Sequence, residues 1–185
     1  MENEIDTDEE NPMVSFLPMD SIGDDGSLIL DQNKSLNEVN GSGYTYFRDL
    51  DITIAKITPC FENGKGALMQ GLTNGIGFGT TELIVVRPNE KQLYPHFLEY
   101  LFNTSFFRLF GESEMYGAGG QKRVPDRFIK NYLTGIPPLE EQTQIATFLD
   151  RETQKIDNMI EHANKNISLL TERRSAIISS AVTGK

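Results

Sequence analysis

Apolar and polar positions follow two different rhythms along this chain of 185 residues. From Val14 to Ile136 the apolar residues come in short runs broken by Gly and Pro; after Pro138 neither breaker appears until Gly184. In the first region, Val14-Ser-Phe-Leu predicts a short strand and the stretch from Pro18 to Gly26 predicts turns. The segment Asp51-Ile-Thr-Ile-Ala-Lys-Ile-Thr alternates apolar and polar residues, which predicts a half-buried strand ended by Pro59. Glu82-Leu-Ile-Val-Val-Arg predicts a buried strand stopped by Pro88. Between them, Gly64, Gly66, Gly71, Gly75, Gly77 and Gly79 predict turns and close backbone approaches. The aromatic-rich stretch Pro95 to Phe110 predicts one helix buried on one face, with His96 at its start. Gly117, Gly119 and Gly120 then open a loop that Val124-Pro125 closes. The body reads as α+β, with a mixed or antiparallel sheet.

The second region predicts one long helix. Pro137-Pro138 suits a helix start, and Glu140 and Glu141 suit the positive end of its dipole. Leu149, Ile156, Ala163, Leu170 and Ile177 recur every seven residues, interleaved with Thr153, Ile160, Ile167, Arg174 and Ala181. That is a coiled-coil seam with Thr153 and Arg174 as polar breaks. A helix from Leu139 to Ala181 would run roughly 60 Å. It cannot bury such a seam alone, and the chain offers no second helix of that length. Self-association or a helical partner protein is the expectation, with packing back onto the body as the alternative.

Composition narrows the class. At 38% hydrophobic and 24% charged residues the chain can build an ordinary core. Its longest apolar runs, such as Leu83-Ile84-Val85-Val86, fall far short of the roughly 20 residues of a transmembrane helix, so no membrane association is expected. The acidic N-terminus lacks the basic and apolar regions of a secretory signal. The single cysteine, Cys60, excludes a disulfide framework and a four-cysteine zinc site, so a reducing cytoplasmic compartment is expected.

The net charge of −10 is unevenly placed. Ten acids and no Lys or Arg precede Lys34; the other 17 acids (27 less 10) balance the 17 bases. A neutral body with an acidic head can still present a basic face to DNA. Residues 1–13 are expected to form an acidic disordered tail, 14–136 the α+β body and 137–185 the long helix.

Catalytic patterns are missing. Gly64-Lys65 lacks the rest of a phosphate-binding loop, and Gly75, Gly77 and Gly79 lack the dinucleotide spacing. His96 and His162 have no ligand-type spacing, no Lys follows an acid by two residues, and no general base is evident for Cys60. No metal site is expected. What remains is a set of polar loops: Tyr44 to Arg48, Lys56 and Lys65 either side of a turn, Thr80-Thr81-Glu82, and Tyr116 to Arg123. The last sets Gln121, Lys122 and Arg123 on a glycine-rich loop. Gln pairs adenine edges, Arg and Lys pair guanine edges, and Lys also meets phosphates. Lys56 and Lys65 read equally well as residues that simply hold a turn.

Five segments in order carry a resemblance: GYTYFRDLDITIAKITPCFENGKGAL (43–68), NGIGFGTTELIVVRP (74–88), GAGGQKRVP (117–125), IPPLEEQTQIATFLDRETQKID (136–157) and LLTERRSAIISSAVTGK (169–185). Together they closely resemble the specificity subunits of type I restriction-modification systems, from about Val14 to Lys185. The resemblance implies a non-catalytic subunit whose recognition domain, residues 14–136, reads one half of a split site in double-stranded DNA. It implies a long spacer or dimerisation helix, residues 137–185, that docks methyltransferase (modification) subunits, with the restriction subunit joining through that complex. S-adenosylmethionine, magnesium and ATP would be held only by the partners. Full-length members usually carry two recognition domains and two helical regions; this chain has one of each, as a half-subunit would. They also begin with a Trp-containing segment, and no Trp occurs here. Two chains joined through their helices, by Leu149, Ile156, Ile160, Ala163, Ile167, Leu170 and Ile177, would then read a palindromic split site as a homodimer. The candidate DNA contacts are Lys56, Lys65, Thr80, Thr81, Tyr116, Gln121, Lys122 and Arg123. The alternative function is an interaction protein or decoy that binds methyltransferase subunits through the helix without binding DNA.

Overall fold

A computed structural model describes residues 10–184. They form two units that divide between Thr143 and Gln144. Most of the predicted acidic tail, residues 1–9, lies outside the described residues. Pro12 is buried and its carbonyl accepts from Leu36 N–H, and strand β1 (Met13–Leu17) follows directly.

The first unit is built on two sheets. A four-stranded mixed sheet has the order β2 (Asn33–Ser35), β1, β6 (Ile76–Gly79), β3 (Thr45–Arg48), with β1 parallel to β6 and the other pairs antiparallel. An antiparallel sheet has the order β5 (Gly66–Leu68), β4 (Ile52–Ala55), β7 (Leu83–Val86). Leu17, Ile22, Phe47, Ala55, Ala67, Met69, Leu72 and Leu83 form the core between the sheets. Ile52, Ile54 and Leu68 face the other way, onto α2 (Pro95–Phe102), α3 (Ser105–Ser113) and α4 (Asp126–Lys130) through Leu98, Phe102, Phe107 and Phe128. The outer face of the four-stranded sheet carries Val14, Ile76 and Phe78 under Val39 of α1 (Leu36–Val39). The α+β class follows directly from this arrangement.

Several local expectations change in this setting. β4 is buried on both faces, not one, because its sheet lies between the other sheet and the helices; Thr53 is wholly buried and its hydroxyl donates to Ala67 O at 3.4 Å. β7 is only half-buried, because it is an edge strand. Gly77 and Gly79 are not turn residues; they lie in β6, at the centre of a sheet. The Phe47 ring, on the partner strand residue to Gly77, fills the space where a side chain at 77 would stand. Tyr44 to Arg48 is not a polar loop, since 45–48 form β3 and place Phe47 in the core. The aromatic helix is two helices. Thr104 breaks it, with extended backbone and a hydroxyl that accepts from Phe107 N–H at 3.3 Å to cap α3.

The long helix α5 (Leu139–Thr183) has 45 residues, about 68 Å at 1.5 Å per residue. Its first turn belongs to the first unit and is held within it by Gln142, which is wholly buried. The Gln142 amide donates to Gln92 O at 2.9 Å and to Pro137 O at 2.8 Å, and its carbonyl oxygen accepts from Tyr94 N–H at 2.8 Å. Within the second unit the seam stays open to solvent: Ile156, Ile160, Ile167, Leu170 and Ile177 are each more than half exposed. Ala163 is also exposed, and Leu149 is partly covered.

Candidate nucleic-acid interface

Beyond β4 the chain continues in extended form and picks up a new partner. Val124 N–H donates to Lys56 O at 2.8 Å, and Thr58 N–H donates to Lys122 O at 3.0 Å. Arg123 and Tyr116 exchange backbone hydrogen bonds of 3.1 and 2.9 Å. On the opposite side Lys56 N–H donates to Glu82 O at 2.9 Å. Three stretches distant in sequence are thereby laid side by side, with residues 117–122 looping out from a two-stranded base.

That loop is tethered, and its outer residues are exposed. The Thr58 hydroxyl donates to Gly120 O and accepts from Lys122 N–H at 3.1 Å. Gly117 has φ 131°, and a side chain there would meet Gln121 O at 2.5 Å, so only glycine fits. Tyr116, Gln121 and Lys122 are all exposed. A loop held at both ends by backbone bonds loses less entropy on meeting a ligand than a free one.

Charge is organised around Glu82. Its carboxylate is gripped by Arg123, with Nη2–Oε1 at 2.7 Å and Nε–Oε2 at 2.9 Å. The Arg123 hydrogen bond holds the Glu82 carboxyl below its ordinary range, and Lys56 adds a weaker pull in the same direction. The same pair raises Arg123 above its usual value. Arg123 is therefore engaged at the base of the loop, while Lys122 points its charge outward. Thr80 accepts from Glu82 N–H at 3.2 Å, which ties Thr80 and the exposed Thr81 to the same corner. Seven of the candidate contacts thus lie on the three stretches that these bonds join, residues 56–58, 80–82 and 116–124. Lys65 does not join them; its amine donates to Met19 O at 3.2 Å. Thr58 and Glu82 were not among the candidate contacts. Glu82 shows no signal in the sequence as a partner of Arg123, because the two lie 41 positions apart.

Among the described residues, no group of three or more His, Cys, Asp or Glu is placed to hold a metal ion. Among them, no helix is long and apolar enough to cross a membrane.

Comparison with known proteins supplies the family. The chain is 42% identical over 168 residues to the type I restriction enzyme EcoAI specificity subunit of Escherichia coli, covering 85% of this chain and 28% of that protein. It is 44% identical over 141 residues to the EcoEI specificity subunit of the same species, covering 76% and 23%. The chain therefore spans about a quarter of these curated relatives. Its fold matches the crystal structure of the HsdS subunit from Thermoanaerobacter tengcongensis, with a TM-score of 0.63 at 23% identity, over 85% of this chain and 41% of that one. A structure from a study of complex assembly and conformational transition in the type I restriction-modification system matches with a TM-score of 0.65 at 21% identity, over 85% and 41%. Residues 8–169 match the type I restriction modification DNA specificity domain, and the chain belongs to that family.

Proposed function

We propose that the chain acts as the DNA-reading half of a type I specificity subunit. Residues 14–136 read one half of a split site in double-stranded DNA, and residues 137–185 form the helix that joins it to a second chain and to methyltransferase subunits. The observation that carries this reading is the tethered loop 117–122, which presents Gln121 and Lys122 to solvent from a fixed base. Gln121 supplies the paired donor and acceptor that suit a base edge, and Lys122 and Lys56 supply charge for phosphates. Thr80, Thr81 and Tyr116 complete the surface, with Arg123 as an anchor that a guanine or phosphate could claim from Glu82. The chain performs no chemistry in this reading. S-adenosylmethionine, magnesium and ATP belong to the methyltransferase and restriction subunits, and the complex works in the cytoplasm.

The exposed seam of α5 supports the homodimer. A two-fold pair of chains places two identical readers at the ends of a helical spacer, so the preferred site is an inverted repeat with a fixed gap. The test is duplex binding by the full chain, with and without a methyltransferase subunit, compared with a Gln121→Ala, Lys122→Ala double variant. The reading expects salt-dependent binding that the double variant weakens at least tenfold. Binding to the methyltransferase subunit with no affinity for duplex DNA would replace it with the decoy.

A further inference from the structure

A second cluster that joins a basic group to aromatic rings stands on the four-stranded sheet. On the outer face of that sheet, Lys34 of β2 lies over the rings of Phe16 and Tyr44, with Nζ 3.7 and 5.3 Å from their centroids. The two rings meet edge-on at 4.9 Å, and Tyr44 is 37% exposed. An amine parked over ring faces has already lost much of its rotamer freedom, so fixing it on a ligand costs less. Glu38 is the nearby carboxylate that feels Lys34, but its oxygen is taken by Ser35, accepting from Ser35 N–H at 2.9 Å and from the Ser35 hydroxyl at 2.8 Å.

Strand register connects this cluster to the loop. Thr45 pairs with Gly79, so Tyr44 and Thr80 leave β3 and β6 at the same end of the sheet. Phe16 pairs with Phe78, one step inside that end. Thr80-Thr81 then lead to Glu82, which holds Arg123. Register thus brings Tyr44 and Thr80 to one end of the sheet, and the chain path from Thr80 leads to the Glu82–Arg123 base of the loop.

Resting on the DNA-recognition reading above, we infer that Lys34 and Tyr44 form a further contact with the duplex sugar–phosphate backbone. The Lys34 amine pairs one phosphate oxygen and the Tyr44 hydroxyl donates to another. A lysine is a point charge without the fork needed to read a base edge, so this contact positions the duplex and carries no sequence preference.

The experiment titrates the full chain with a mixed-sequence duplex and with a duplex selected for tight binding, each across a salt series. The proteins are the wild type, Lys34→Gln, Lys34→Arg and Tyr44→Phe, with circular dichroism confirming that each variant folds. Lys34→Gln is expected to flatten the slope of log K against log salt by about 0.9 and to weaken both duplexes equally, roughly fivefold near physiological salt. Lys34→Arg is expected to keep the wild-type slope, and Tyr44→Phe to weaken both duplexes without changing it. Wild-type binding with a steep slope that Lys34→Gln shares would overturn the contact while leaving DNA recognition standing. A wild type with no salt-dependent duplex binding would overturn the recognition reading and this contact together.

Discussion

Replacing Gln142 with Leu removes three hydrogen bonds at almost constant volume. The side chain is wholly buried, and its partners are Tyr94 N–H, Gln92 O and Pro137 O, all within 2.9 Å. Each such bond contributes about 1 kcal/mol net, and a donor left unsatisfied in a covered site costs about 1–3 kcal/mol. Tyr94 N–H carries most of that penalty, since Tyr94 is half-buried. Gln92 is exposed and water can take over its carbonyl. The expected loss is about 2–4 kcal/mol, or roughly 6–12 °C in Tm for a chain of this size. Gln142→Glu keeps the acceptor for Tyr94 but turns both donors into acceptors facing carbonyls, so it should do no better. The assay is urea unfolding followed by tyrosine fluorescence, which suits a chain with six Tyr and no Trp. A Gln142→Leu protein within about 0.5 kcal/mol of wild type would show that the glutamine merely fills space and that the start of α5 is held by something else.

Other substitutions test other parts. Gly77→Ala should cost about 1–3 kcal/mol by driving a methyl group into the Phe47 ring, and adding Phe47→Leu should recover part of that loss in the same unfolding assay. Glu82 has a carboxyl held low by Arg123, so its contribution is complete above the ordinary carboxylate pKa of about 4.3 and is lost as pH falls through the lower folded value. Protection of the Tyr116 and Arg123 amides, measured relative to intrinsic exchange at each pH, should therefore fall at acid pH in the wild type, and Glu82→Gln should show that lower protection already at neutral pH. Leu170→Asp with Ile177→Asp should abolish sedimentation as a dimer at high micromolar concentration. It should leave unfolding of the first unit unchanged within about 0.5 kcal/mol, because both side chains are exposed in the single chain.

How legible each part was depends on how local its cause is. The long helix is written in a seven-residue repeat, two prolines and two leading acids, and it forms from Leu139 as that pattern predicts. β4 and β7 are written in apolar runs, but whether one face or two is buried depends on which strand is central, and that is a property of the sheet. β3 was hidden because Phe47 alone reaches the core there while Tyr46 and Arg48 are only half-buried. Gly77 belongs in a strand only because a ring from β3 fills its side-chain space. In the candidate interface, the glycine-rich loop and its Gln and Lys were visible as a motif. Its tether by Thr58 and its clamp by Glu82 were not, since contacts across 62 and 41 residues leave no periodic trace. Lys65 looked equivalent to Lys56 from its spacing, yet its amine is tied to Met19 O.

The measurement that bears most directly on DNA recognition is selection of duplexes from a randomised pool by the full chain, alone and with a methyltransferase subunit. The account predicts enrichment of a split inverted repeat with one preferred gap, and loss of that enrichment when Gln121 and Lys122 are both replaced by Ala. Recovery of an unenriched pool by a folded chain that still binds the methyltransferase subunit would contradict it.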